Sequence, residues 1–342
     1  MATDEGPQRK ADHLRVALGQ DVGHVGITTG LEALRLNARA LPGRDLVDVS
    51  LACQVFGIPV AAPLLISCMT GGTSEAGQVN AALAEAAAEH GVALGLGSGR
   101  VLLEGGDPSS FEVRQIAPDV PLLANLGAVQ LPQVGIDGCL ELLGLTGADV
   151  LVLHLNAVQE AVQPGGDTTF GGVIEHIAEV TQQVQVPVVV KEVGFGLGPS
   201  DIDELLAAGV AGIDVAGAGG TNWATVEGHR DHHAGQVARA FAGWGWSTVE
   251  SLTAAVARAG EEVVVIASGG LADGVDAVKC LALGADLAGF GRRLLAPAAQ
   301  GPKAASRALD VLIQQVRIAI WAVGAAGVAD LDGSHLRRAQ GG

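Results

Sequence analysis

Cations are scarce in this chain: 20 Lys and Arg stand against 37 Asp and Glu, a net charge of −17. That balance is too acidic to hold an extended polyanion by bulk charge, so nucleic acid is not an expected partner. Long apolar runs are missing too. No stretch reaches the roughly 18 consecutive apolar residues of a membrane span, so no membrane association is expected. Thr3 to His13 is mostly polar and charged, unlike the apolar centre of a signal peptide, and a cytoplasmic location is expected. Cysteine is sparse: Cys53, Cys68, Cys139 and Cys280 form no CxxC pair and lie in or beside apolar runs. Reduced, buried thiols fit that placement better than disulfides or zinc. Low-complexity tracts are absent, and charged residues are only 17% against 49% hydrophobic, which excludes a disordered chain and leaves material for a large core.

Glycine is what the chain has in excess. Its 342 residues include 50, about twice the usual share, and they cluster directly after short β-like runs. Eight runs rich in Val, Ile, Leu and Ala read as buried parallel strands: 64–68, 92–96, 121–124, 150–155, 187–191, 212–216, 263–267 and 286–290. Between most of them apolar residues recur at three and four, which predicts helices over Ser74–His90, Phe170–Val184, Ser200–Ala208, Thr248–Ala259 and Gly274–Leu283. Eight such βα units favour a closed α/β barrel, the (β/α)8 or TIM fold, over a doubly wound open sheet.

The segment Asn222–Trp246, between the sixth and seventh strands, predicts an inserted loop and helix over the C-terminal mouth. Residues 1–63, charged at first and then punctuated by Pro and Gly from Leu41 to Pro63, read as an N-terminal arm and cover. The barrel is expected over 64–325, with its final helix from Lys303 to Val323. Residues 326–342 form a C-terminal tail in which Ser334–Gly342 reads as loose.

In such a barrel the reacting groups come from the C-terminal ends of the strands. Nearly every polar residue embedded in an apolar run falls there. The exits carry Met69 to Gly72; Gly97, Ser98 and Arg100; Asn125; His154, Asn156, Gln159 and Glu160; Lys191 and Glu192; Gly217 to Thr221; Ser268 to Gly270; and Gly291 with Arg292. A barrel with only a structural role needs no polar groups at all eight exits. Ser268-Gly269-Gly270 and Gly289-Phe290-Gly291-Arg292 follow the seventh and eighth strands, where glycine N–H groups and a helix N-terminus can cradle a cofactor phosphate. Either loop alone is explained as a tight turn; their joint placement favours the cradle.

Lys191 ends an apolar strand, where a buried ammonium needs an electron-rich partner. A flavin ring is one such partner and an ion pair with Glu192 or Asp214 the other. At the fourth exit a single carboxylate, Glu160, among amides suits Mg²⁺ completed by water and phosphate oxygens, or else the run is a polar helix cap. Arg9, Lys10 and Arg100 are local cations in an acidic chain and suit a small anion such as a diphosphate, although a charged terminus also reads as a solvated tail. Gly194–Gly198 and Gly217–Gly220 lack full dinucleotide-loop spacing. His229, His232 and His233 read as a solvated run rather than a zinc site.

These motifs run in order from residue 9 to about 295. They include Arg9-Lys10 with His13, Met69-Thr70-Gly71-Gly72, Asn125-Leu126-Gly127-Ala128, His154-Leu155-Asn156 with Gln159-Glu160, Lys191 to Gly196, Ala218 to Trp223, and Ser268-Gly269-Gly270. Together they resemble the type 2 isopentenyl-diphosphate isomerases. The resemblance implies a (β/α)8 barrel holding FMN, a prenyl diphosphate substrate, Mg²⁺, and NADPH as the reductant that keeps the flavin reduced. It gives the flavin Cys68, Met69, Thr70, Ser98, Asn125, Lys191, Thr221, Ser268, Gly269, Gly270, Gly291 and Arg292. It gives the substrate Arg9, Lys10, His13, Ser98, Arg100, His154, Asn156 and Gln159, with Gln159 also the catalytic side chain beside the reduced flavin and Glu160 on the metal. A homo-oligomer is expected.

Departures from the family pattern are the lack of a recognisable Thr-Gly-containing segment after Val323, Gly99 in the second exit and Ala272 two residues beyond Gly270. The last removes a cation from the cofactor-phosphate loop that Arg292 is expected to replace. The other readings are an FMN oxidoreductase of the hydroxy-acid oxidase type, whose Arg-His pair for a carboxylate is not found near the seventh exit, and a barrel that binds flavin or prenyl diphosphate without turnover.

Overall fold

The computed structural model describes residues 5–339. Twelve strands are present: β1 (Leu34–Leu36), β2 (Cys53–Val55), β3 (Ile58–Val60), β4 (Leu64–Ile66), β5 (Ala93–Ser98), β6 (Leu122–Gly127), β7 (Val150–His154), β8 (Val188–Lys191), β9 (Gly212–Asp214), β10 (Val264–Ala267), β11 (Leu287–Phe290) and β12 (Leu336–Arg338). β4 to β11 pair in parallel, each with its neighbour in sequence, and β11 closes on β4. The eight predicted strands are therefore the eight staves of a closed (β/α)8 barrel. Helices Ser74–His90, Leu131–Thr146, Val173–Gln183, Pro199–Ala207, Thr248–Val256, Gly274–Ala282 and Pro302–Ala322 are among those surrounding it.

Strand side chains alternate between faces, and that alternation builds two cores. Leu64, Ile66, Leu94, Leu122, Leu151, Leu153, Val188 and Val190 face the helices. Leu65, Ala93, Leu123, Val150, Val152, Val189, Ile266 and Leu287 form a separate cluster inside the barrel with Val55 and Val60. Those last two belong to the β2–β3 hairpin, whose two-residue turn, Phe56-Gly57, has positive φ at both positions (52° and 77°), the geometry that matches strand twist. The hairpin plugs the N-terminal end of the barrel. Each fully buried Val or Leu there contributes about 1.5–3 kcal/mol relative to exposure, so the floor is dry and firmly packed.

Two positions further along six of the eight staves, the inward set turns polar. Ser67 follows Leu65, Asn125 follows Leu123, His154 follows Val152, Lys191 follows Val189, Asp214 follows Gly212 and Ser268 follows Ile266, while Gly95 and Gly289 hold the matching places on β5 and β11. The same period of two thus carries those six staves from floor to polar mouth.

Helix α1 (Glu5–Gly19) crosses that mouth, and the insertion supplies helices Trp223–Gly228 and His232–Ala238 beside it. Some boundaries differ from expectation. β6 runs on to Gly127, because Leu126 and Gly127 pair with Leu153 and His154, so Asn125 lies within the strand instead of after it. β9 stops at Asp214, two residues before Ala216 adopts a positive φ of 37°. The tail is ordered where a loose end was expected: Leu336–Arg338 pairs antiparallel with Leu34–Leu36, and Asn37 Nδ2 donates to the Ser334 carbonyl at 2.7 Å. Residues 340–342 of that tail lie outside the described ones. All four cysteines are free. No helix among the described residues is long and apolar enough to cross a membrane.

Candidate active site

The sequence nominated twenty residues for the site: three on α1 and seventeen on the barrel exits. Every one of them lines a single cavity of about 700 Å³ at the C-terminal mouth. Arg9, Lys10 and His13 descend from α1. Cys68, Met69, Thr70, Ser98, Arg100, Asn125, His154, Asn156, Gln159, Glu160, Lys191, Thr221, Ser268, Gly269, Gly270, Gly291 and Arg292 rise from the exits.

At one end the cations gather. Lys10 is pushed down to about 8, first by burial and then by the charge of Arg9, with Glu104 opposing and Arg100 adding to the fall. Its Nζ donates to the Ser98 carbonyl at 3.0 Å and stands 5.7 Å from the centre of the Phe111 ring. Arg100 donates to Glu104 at 2.6 Å. Cations pressed together against a falling pKa mark a place that an anion would stabilise.

The fourth exit is a hydrogen-bonded set. His154 Nδ1 meets Asn125 Oδ1 at 2.8 Å. Burial, then the Lys191 charge, pushes the imidazole down to about 3, so it is neutral and offers a hydrogen bond rather than a charge. Asn156 Nδ2 donates to Glu160 Oε1 at 2.9 Å, and Glu160 Oε2 accepts from the Asp167 N–H at 2.8 Å. Asn156 Oδ1 is buried with no partner among the described residues. One carboxylate beside an orphaned amide oxygen, opening on a cavity with cations at the same end, fits Mg²⁺ shared with a diphosphate.

Beyond it lies the junction the sequence did not reveal. Glu227, on the insertion and fully buried, accepts from Gln159 Nε2 at 3.0 Å, meets His13 Nε2 at 2.8 Å and pairs with Arg230. Burial pushes its carboxyl up, and these hydrogen bonds more than reverse that, leaving it below the ordinary range. Glu227 therefore ties the arm, the fourth exit and the insertion together at one carboxylate.

The other end holds Lys191, Ser67, Ser268 and the glycine exits. Lys191 Nζ donates to the Glu192 carbonyl, and its neighbour across the sheet is Asp214. The Glu192 carboxylate is not its partner: Oε2 accepts from the N–H groups of Val193, Gly194 and Phe195. Burial pushes Glu192 up to about 7 against those donors. Asp214 is raised by burial against the pull of Lys191 and of Ser268, whose hydroxyl donates to it at 2.6 Å. Ser67 Oγ and Gln130 Oε1 are buried without partners among the described residues, and both residues line the cavity. Thr221 bridges to Gly23. Unpartnered polar atoms, an inward ammonium and glycine main chain open to close approach fit a flavin and its phosphate. Arg292 is placed differently from the expected cation of that loop: its guanidinium donates to the carbonyls of Ala17 and Gln20. Gly99 has a packing reason, since a Cβ there would strike Leu142. His229, His232 and His233 are exposed, and no group of three or more His, Cys, Asp or Glu able to hold a metal exists among the described residues.

Ser67 and Glu227 were not found from the sequence, and Asp214 was read there only as an alternative partner of Lys191. Counting by two along the strands reaches both Ser67 and Asp214. Glu227 had no such signal.

Residues 154–338 match the family model for FMN-dependent dehydrogenases. A curated isopentenyl-diphosphate delta-isomerase of Nostoc sp. is 44% identical over 97% of this chain and 96% of its own length. One of Cronobacter sakazakii is 44% identical over 99% of each. Among solved structures, a mandelate oxidase variant with an FMN adduct aligns with a TM-score of 0.67 at 21% identity, over 96% of this chain and 95% of that one. A monotopic membrane (S)-mandelate dehydrogenase gives 0.68 at 19%, over 97% and 95%. At those identities the solved structures show the barrel fold alone.

Proposed function

The chain belongs to the isopentenyl-diphosphate delta-isomerases within the FMN-dependent family, and from that premise we propose that its cavity interconverts isopentenyl and dimethylallyl diphosphates with Mg²⁺ and reduced FMN. The observation that carries the reading is the polarity of one cavity. Arg9, Lys10 and Arg100 line it with the second exit, where Lys10 reaches the Ser98 carbonyl, and Lys191 with the glycines lines it at the fifth to eighth exits. A diphosphate at the cations lays a short prenyl tail toward Lys191 and the glycines.

When bound, FMN kept reduced by NADPH would supply an acid/base at its N5, the role the family implies for it, and Lys191, Ser268 and the glycine exits would hold it. The chain's own residues do the rest. Arg9, Lys10 and Arg100 neutralise the diphosphate, and neutral His154 adds a hydrogen bond. Glu160, fixed by Asn156 and the Asp167 N–H, holds the metal. Gln159, the proposed catalytic side chain, has its amide held on both sides, by Asn156 Nδ2 at 3.3 Å and by Glu227 Oε1. A side chain held at both ends keeps one orientation toward the double bond. The reaction then needs one proton added at one carbon and one removed at another, with no net electron transfer.

The test is stoichiometric. With FMN reduced by NADPH or dithionite, dimethylallyl diphosphate should form in excess over reductant consumed. NADPH consumed one for one, or a hydroxy acid oxidised with oxygen uptake, would turn the assignment toward the oxidoreductases that share the fold. Isopentenyl diphosphate bound but never converted would identify a non-catalytic barrel.

A further inference from the structure

The last turn of α1 contains no basic residue. A helix C-terminus leaves carbonyls without intrahelical donors and carries partial negative charge. Here both needs are met from the eighth exit of the barrel. Arg292 opens the helix that follows β11. It donates through Nε to the Ala17 carbonyl at 2.9 Å and through Nη2 to the Gln20 carbonyl at 2.7 Å. A planar guanidinium makes such a pair of bonds in one fixed geometry; a point charge does not.

Two other polar contacts hold α1 to the mouth, Lys10 on the Ser98 carbonyl and His13 on Glu227. Both use side chains that the functional reading gives to the substrate. An arriving diphosphate competes for Lys10 and draws it from Ser98. The Arg292 bonds run to main-chain carbonyls on the opposite end of the helix and survive that exchange.

Resting on the isomerase reading of the cavity, we propose that Arg292 is a positioning residue for the diphosphate. Its side chain clamps the C-terminus of α1 and so sets the height and angle at which Arg9 and Lys10 face the cavity. Its main-chain N–H, at the start of a helix and free of an intrahelical acceptor, is what remains for the cofactor-phosphate exit. One residue thereby joins the loop at the cofactor end to the arm that covers the substrate end.

The test uses FMN-loaded Arg292→Ala and Arg292→Lys, with three readouts: FMN affinity by fluorescence titration, KM and kcat for isopentenyl diphosphate, and the rate of tryptic cleavage after Lys10 and Arg15. Arg292→Ala should hold FMN within about threefold, raise KM about tenfold or more with kcat within about threefold, and speed cleavage of α1 about tenfold. Arg292→Lys keeps the charge but not the fork, and should move KM and cleavage in the same direction by less. If Arg292→Ala weakens FMN binding tenfold or more while α1 is cut at the wild-type rate, the guanidinium serves the cofactor phosphate and the proposal falls. Unchanged KM with unchanged cleavage overturns it as well. A wild-type protein that takes up no FMN or converts no isopentenyl diphosphate removes the functional reading instead, and the cleavage rates still decide what Arg292 does to α1.

Discussion

The second and fourth exits, with the start of α1, meet the cavity through side chains, Arg9, Lys10, Arg100, His154 and Glu160 among them, whereas the sixth to eighth exits line it largely with main chain, from Gly219 and Gly220 through Gly269 and Gly270 to Gly289 and Gly291. The difference follows from what each has to recognise. A compact, highly charged group is best met by charge-assisted bonds from long side chains. A large planar ring with a phosphate needs backbone brought close, which any Cβ prevents. Side-chain recognition can be tuned by charge and pH and is tolerant of small changes in backbone. Main-chain recognition is indifferent to pH and intolerant of a single added carbon.

The largest expected effect is therefore at a glycine. Gly269 has a φ of +103°, and a Cβ there would collide with the main chain of Gly217. Gly269→Ala combines backbone strain with overpacking against the protein's own main chain, so the loop shifts, and returning it to the FMN-binding shape takes up to about 4 kcal/mol, at most roughly a 1,000-fold loss of FMN affinity. Fluorescence titration reads the loss, and circular dichroism checks that the barrel still forms. An alanine variant that binds FMN as the wild type does would break the description of this end as main-chain recognition.

A smaller effect, on the opposite end, tests the metal. Glu160→Gln keeps the shape and an acceptor oxygen but removes the carboxylate charge. Turnover at subsaturating substrate should fall about 100-fold or more, about 2.7 kcal/mol of lost metal-bridged diphosphate binding, while FMN affinity stays put. Normal turnover at low Mg²⁺ would take Glu160 out of the metal site.

The two ends also differ in how far the sequence disclosed them. The glycine exits were legible because each follows an apolar run, and the run tells where the strand stops. Asn125, His154, Lys191 and Ser268 were legible for the same reason. Ser67 was passed over, and Asp214 entered only as an ion-pair alternative for Lys191, because exits were read by adjacency to the run; the pleat would have shown both as inward positions. Glu227 is of another kind. It meets His13 across 214 residues of sequence, through the docking of an N-terminal helix on an insertion, and no local period encodes that meeting. The same holds for Arg292, whose charge was visible but whose direction depends on where α1 ends. The ordered tail escaped because a three-residue ribbon, Leu34–Leu36 with Leu336–Arg338, is too short to show a period.

The smallest effect sharpens the comparison most, because it should appear at one end of the cavity and not at the other. Burial, and then Arg9, lowers Lys10 to about 8 from an ordinary 10.5. Below that pH the free enzyme presents a protonated Lys10 to the diphosphate; above it the ammonium is lost and the anion meets one cation fewer. The sign is fixed: KM for isopentenyl diphosphate should be flat on the acid side of about pH 8 and rise on the alkaline side by up to tenfold per unit. The rise ends where Lys10 contributes nothing, about 10- to 150-fold in all for a charge-assisted bond of about 1.5–3 kcal/mol. The bound diphosphate restores the proton's hold on Lys10, so kcat at saturation should not share this limb. Lys10→Arg should remove it, since a guanidinium stays charged throughout. FMN affinity, measured over the same range, should not share this limb, and Lys10→Arg should leave its pH profile as it is, because Lys10 reaches the Ser98 carbonyl and not the glycine exits. A KM that stays flat to pH 9.5 in the wild type would mean that Lys10 is not pressed by its neighbours as the structure has it.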